Sequence, residues 1–216
     1  MRTVSDEQSG TDEATHPLWR PLVVGANAAR QGRRVATRQT EPGPLREHDP
    51  SWVGDFATVE AVIRDALGDG ALAIDHVGST AVADLMAKPV IDIDVTVADA
   101  DDESSWLPPL EDAGFRLIFR DDMAGEPHRH VTFAAPNANV HVWNPGAVEP
   151  RRHALFVAWL RTHAEDRRRY EDAKKAAVAP GARGRYNDLK AAVVYQIYER
   201  ALRADPGHEH DPRPLP

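Results

Sequence analysis

From Val90 to Val97, the residues Ile91, Ile93, Val95 and Val97 alternate with Val90, Asp92, Asp94 and Thr96. Alternation of this kind marks a strand with two unlike faces, because successive side chains point to opposite sides of a sheet. One face is apolar and belongs in a core. The other carries two carboxylates spaced about 6 to 7 Å apart along the strand. A chain holding this segment is committed to a sheet with one greasy and one polar face, and the remaining elements have to fit around it.

Other periodicities fill in that frame. Apolar residues at helical spacing from Trp52 to Leu67, with Gly68 as a stop, predict a first helix. Ala71 to Val77 is short and β-prone, and Thr80 to Met86 has room for one or two helical turns before Lys88-Pro89 breaks the run. Glu103 to Ala113 reads as a helix. Phe115 to Arg120, His130 to Ala134 and Asn139 to Trp143 read as strands joined closely enough for an antiparallel meander. The pattern turns helical from Arg151, and a last helix spans Tyr186 to Leu202. Helices and strands mixed in this order predict an α+β fold.

Composition narrows the setting. The 216 residues contain no cysteine, which excludes disulfides, thiolate metal sites and cysteine nucleophiles. No stretch approaches the roughly 18 apolar residues of a membrane span, and the polar N-terminus lacks a signal-like apolar region, so a cytoplasmic protein without a membrane partner is expected. A net charge of −8 argues against wholesale coating of nucleic acid. Residues 1–44, rich in Ser, Thr, Gly, Pro and Arg, read as a largely disordered extension with some order near Leu18 to Val24, and residues 204–216 as a second tail. The run Arg30, Arg33, Arg34 and Arg38 fits either a solvated extension or an arm for polyanions. Residues 45–203 form the single domain.

The chemistry concentrates in His76-Val77-Gly78-Ser79-Thr80 and the following Lys88-Pro89-Val90-Ile91-Asp92-Ile93-Asp94. A Gly-Ser pair after a strand permits a tight turn and presents N–H groups to an anion such as phosphate. Two aspartates on one strand face make a seat for Mg²⁺ or Mn²⁺. Phosphoryl or nucleotidyl transfer needs both, since divalent cations neutralise developing charge and align the attacking and leaving oxygens. The same spacing also fits a purely structural role, with Ser79 capping a helix and the aspartates on the wet face of an edge strand. No Walker pattern is present.

The stretch HVGSTAVADLMAKPVIDIDV, continued by RHVTFAAPNANVHVWNPG, RRHALFVAWLRTHAEDRRRYEDAKKAA and YNDLK, resembles the GrpB-like family, itself similar to the nucleotidyltransferase superfamily, over about Leu45 to Leu202. The resemblance implies a nucleotidyltransferase-like small mixed β-sheet flanked by helices, with reaction and substrate unassigned. Two departures stand out. Ala83-Asp84 replaces the family's usual Pro-Gly, and the segment Asn139 to Trp143 carries no acid where active nucleotidyltransferases place a third carboxylate. His141 stands there, as in the family pattern, and makes a candidate third metal ligand that would favour Mn²⁺ or Zn²⁺ over Mg²⁺.

Asp92, Asp94 and His141 are therefore the candidate catalytic and metal-binding residues, with Gly78, Ser79, Thr80, Lys88 and Lys190 for phosphate. His76, His130 and Arg152 are secondary candidates. His76, His128, His130, His141 and His153 are half of the ten histidines and lie in or beside the motifs. Eight basic residues against four acids between 151 and 175 suggest a basic helix across an acidic pocket, or a solvated, salt-bridged one. The expected partner is a nucleoside triphosphate or another phosphate-bearing small molecule. A catalytically silent binding module, lacking the third acid, is the alternative.

Overall fold

The computed structural model describes residues 14–23, 32–123 and 125–215. Its elements are β1 (Gly32–Arg34), α1 (Trp52–Leu67), β2 (Ala73–Val77), β3 (Ile91–Thr96), α2 (Glu103–Asp112), β4 (Arg116–Met123), β5 (Glu126–Phe133), β6 (Ala138–Trp143), α3 (Val148–Thr162), α4 (Ala164–Val178) and α5 (Tyr186–Arg203). The six strands form one sheet in the order β1-β4-β5-β6-β3-β2. Among the described strands only β3 and β6 pair in parallel.

The two faces of β3 part as the alternation requires. Ile91, Ile93 and Val95 are buried together with Val131, Val140 and Val142 of the neighbouring strands, under Trp52, Val59 and Ile63 of α1 and Trp106, Leu107 and Leu110 of α2. Each such side chain contributes on the order of 1.5 to 3 kcal/mol on leaving water. A second apolar cluster joins Val82 and Leu85 to Val157 and Leu160 of α3, Tyr170 of α4 and Ile197 of α5. Asp166 fastens this layer by accepting from Arg200 Nη2 at 2.7 Å and Nε at 2.9 Å, and from Trp159 Nε1 at 2.7 Å.

Three expectations change. The helical turns expected over Thr80 to Met86 shrink to a 3₁₀ turn at Ser79–Ala81, and Asp84 adopts a left-handed φ of 59°. The helical pattern after Arg151 is two helices, α3 beginning already at Val148 and broken from α4 around His163. The supposed tails are ordered wherever they are described. β1 pairs with β4, and Gln39 and Thr40 donate to the carbonyls of Gly114 and Ala134 at 3.0 Å each. Ala14 and Asp211 exchange hydrogen bonds at 3.0 Å, and His210 is buried against Glu199. These contacts run mostly through polar groups, so no apolar period announces them. Residues 1–13 and 24–31, with Arg30 among them, lie outside the described residues.

Candidate functional site

In a sheet, directly paired residues share a face. Asp92 pairs with Asn139 and Asp94 with His141 across the parallel β3–β6 ladder, while His130 pairs with His141 and His128 with Trp143 across β5–β6. The polar face of the sheet thus gathers Asp92, Asp94, three histidines and an asparagine, with Asp75 paired to Asp94 and Asp121 to His128. It floors a cleft of about 830 Å³ whose walls include Gly78, Ser79, Lys88, His153, Tyr186 and Lys190.

Gly78 and Asp92 meet directly. Gly78 has φ 70° and ψ −164°, a conformation open essentially to glycine alone. A Cβ placed there would lie 2.5 Å from Asp92 Oδ2. The Gly-Ser turn and the Asp-x-Asp strand therefore converge on one cavity. Asp92 Oδ1 accepts from Asn139 Nδ2 at 2.7 Å, and Asn139 Oδ1 in turn accepts from His130 Nε2 at 3.0 Å and from Arg38. Burial raises the Asp92 carboxyl above its ordinary value, against the pull of the Asn139 bond.

Asp94 is differently employed. Its Oδ1 accepts from Trp143 Nε1 at 2.9 Å, and its Oδ2 lies 2.7 Å from His153 Nδ1. Burial alone would lower the His153 value, but the Asp94 hydrogen bond and charge raise it. Burial drives His130 down to about 4 and His141 well below its usual range, so both are neutral imidazoles at neutral pH. His141 Nδ1 lies 2.9 Å from His128 Nε2, and His128 Nδ1 lies 2.5 Å from Asp121 Oδ1.

On the opposite wall, Lys88 Nζ sits 4.0 Å from the centre of the Tyr186 ring, and Lys190 Nζ donates to the Tyr170 hydroxyl at 3.1 Å. Lys174 is fully buried, donating to the Met86 carbonyl and to Ser79 Oγ at 3.4 Å, and burial lowers it to about 7. It braces the Ser79 turn from behind.

Among the sequence candidates, Gly78, Ser79, Thr80, Lys88, Asp92, His130, His141 and Lys190 line the cleft, with Asp94 beside it. The Thr80 hydroxyl is occupied by His76 Nε2 at 3.0 Å and the Val90 carbonyl at 3.4 Å. His76 belongs to the other side of β2, stacked on Phe56 of α1 at 4.7 Å. Arg152 also lies away from the cleft, pairing with Glu149, donating to the Leu18 carbonyl and covering the Tyr198 ring. The basic residues of α3 and α4 do not grip the cleft. Arg161 and Arg167 bond backbone carbonyls, and Arg169 and Lys175 pair with acids of their own helix.

A protein-family profile described as GrpB protein matches residues 44–200. The chain belongs to the GrpB family. A UPF0157 protein of Halalkalibacterium halodurans is 38% identical over 161 residues, 73% of this chain and 81% of that one. The crystal structure of conserved protein GrpB from Enterococcus faecalis superposes with a TM-score of 0.63 at 26% identity, covering 74% of this chain and 98% of that one. The GLD-2/RNP-8 complex matches at TM-score 0.50 and 14% identity over 74% of this chain and 62% of that one, a likeness of fold alone. This GrpB-family chain accordingly has the expected α+β fold, a mixed sheet flanked by helices, shared with GrpB of Enterococcus faecalis.

Five residues of this GrpB-family site, Asn139, Arg38, His153, His128 and Asp121, escaped designation from the sequence. Asn139 was legible only as the absence of an acid, and Arg38 sat in a segment read as an extension. His153 and His128 were visible as two of five clustered histidines, and Asp121 lay just past the end of a predicted strand. Among the described residues, His16, Asp205 and His208 form the one trio of potential ligands gathered within 4.8 Å. There His16 Nδ1 accepts the Leu18 N–H at 2.9 Å, which leaves the ring proton on Nε2 facing Asp205. That trio is a satisfied hydrogen-bond cluster. No helix among the described residues is long and apolar enough to cross a membrane.

Proposed function

We propose that the cleft binds a nucleoside triphosphate or another phosphate-bearing small molecule together with a divalent cation, Mg²⁺, Mn²⁺ or Zn²⁺, and transfers a nucleotidyl or phosphoryl group to an acceptor. The observation that carries this is the contact of Gly78 with Asp92, which unites the turn for an anion and the acid for a cation in one cavity. The donor types suit a cation, which would draw Asp92, Asp94 and His141 together, since their ligand atoms do not all lie within 4.8 Å of one another. Asp92 supplies a carboxylate on the cleft floor, His141 a neutral imidazole, and Asp94 a second negative charge held by Trp143 and His153. When bound, the ion would neutralise phosphate charge and align the reacting oxygens. Lys88 and Lys190 face the same cavity and supply positive charge to the rest of a polyphosphate. The Gly78-Ser79 turn contributes backbone N–H groups without a helix dipole, because only a 3₁₀ turn follows it.

A second reading has its own support. Asn139 stands beside Asp92 in the ladder, β6 carries no acid, and both Asp94 oxygens are engaged within the protein. Such a site suits a silent module that binds a nucleotide or partner without turnover. Incubating the purified protein with each NTP and Mn²⁺ or Mg²⁺ separates the two. Pyrophosphate release that Asp92→Asn abolishes supports transfer, and binding without release supports the module. Neither binding nor release would remove both.

A further inference from the structure

We propose that Asp121 and His128 are positioning residues that hold His141 as its Nδ1–H tautomer, leaving the Nε2 lone pair turned to the cleft as the nitrogen donor for the divalent cation. The use of that lone pair rests on the cation site proposed above; the tautomer stands on its own geometry.

The polarity of the chain of bonds follows from its end. The Asp121 carboxylate only accepts, so His128 must present Nδ1–H to it at 2.5 Å. In its neutral form His128 has one N–H, and its Nε2 then carries a lone pair that accepts from His141 Nδ1–H at 2.9 Å. His141 is then bare at Nε2. That atom has no hydrogen-bond partner among the described residues, and it is not among the polar atoms sealed from solvent without a partner. Since His141 lines the cleft, its lone pair is reached from there.

The backbone is shaped to make this arrangement. Leu117 pairs with Val131 on the core face, and plain alternation would send Phe119 and Asp121 the same way. A bulge between Leu117 and Phe119 shifts the register, so Phe119 opposes His130 and Asp121 opposes His128 on the cleft face. Bulges commonly re-aim side chains in this fashion. His128 is nearly inaccessible, stacked at 4.3 Å on the Trp143 ring and at 5.1 Å on His141. Partners that fix the tautomer of a ligating histidine typically change metal affinity by about 10- to 100-fold when removed.

The test uses ¹⁵N-histidine-labelled full-length protein, with the His141 signals identified by their loss in His141→Gln. Wild type should show His141 protonated on Nδ1 and bare on Nε2. His128→Phe keeps an aromatic ring but offers no acceptor, and should lose that tautomer preference together with about 10- to 100-fold of Mn²⁺ affinity read by titration calorimetry. His128→Gln, whose amide donates to Asp121 and accepts from His141, should keep both. A wild-type His141 protonated on Nε2 overturns the proposal outright, even if the Phe variant does not fold. Equal Mn²⁺ affinity in wild type and the Phe variant overturns the assigned role of the pair. The expected tautomer with no Mn²⁺ binding by either protein refutes instead the cation site on which that role rests.

Discussion

Replacing Gly78 by alanine tests the convergence of turn and strand most directly. Two independent penalties are expected. The backbone at φ 70° and ψ −164° is open essentially to glycine, and forcing another residue into it costs about 1 to 3 kcal/mol. The added methyl would also lie 2.5 Å from Asp92 Oδ2 and 2.9 Å from Asp92 Cβ, an overlap comparable to overpacking at about 1 to 3 kcal/mol. The sum is roughly 2 to 6 kcal/mol, and at about 2 to 4 °C per kcal/mol for a chain of this size the melting temperature should fall by at least roughly 4 °C. Gly146→Ala is the control, because φ is 81° there and nothing lies within 4 Å of the added methyl. It should show the backbone penalty alone. Thermal melts of both variants read the difference, and Mn²⁺ and nucleotide binding should disappear only at position 78. If Gly78→Ala melts no lower than Gly146→Ala and still binds, Asp92 does not sit against the turn.

Three further outcomes are expected. Asp92→Asn should be more stable than wild type at pH 7 and no more stable at pH 3. Burial raises the folded carboxyl above the unfolded value of 3.8, so the penalty for ionising it grows as pH rises from about 4; a melting series across pH checks this. His153 is raised in the folded state, so its pairing with Asp94 contributes fully below the unfolded value of about 6.5 and fades as pH climbs through the folded one. The stability gap between wild type and His153→Gln should therefore be widest near pH 5 and narrow in the alkaline range, and a gap that widens with pH would contradict the pairing. Asp84→Gly, at a left-handed position with φ 59°, should raise stability by about 0.5 to 1 kcal/mol, read as a higher denaturation midpoint in urea.

Much of this site was legible because its residues obey short-range rules. The alternation around Asp92 and Asp94 fixed a strand and its faces, and the Gly-Ser pair gave the turn. What escaped depends on longer-range facts. His153 reaches Asp94 only because α3 lies along the polar face of the sheet, and no spacing within the chain encodes that packing. Asp121 joins the site through a bulge, which leaves no mark in a hydrophobicity pattern. Arg38 lies in a segment held by polar bonds to Asn137 and Asn139, so its order could not be read from apolar content. Arg152 misled in the opposite sense, since a basic residue beside a histidine looked like chemistry and turned out to hold Leu18 and Tyr198.

The two-faced β3 also bears on how the chain avoids misfolding. Because β3 and β6 run parallel, nothing as local as a hairpin loop ties their alignment, and a slip by one position would keep most backbone bonds. It would, however, drive Asp92 and Asp94 into the hydrocarbon under α1 and expose Ile91 and Ile93. The acids thus act as proofreaders of threading before they meet any ligand, and neutral replacements that spare the native state would still weaken discrimination against the mis-threaded one.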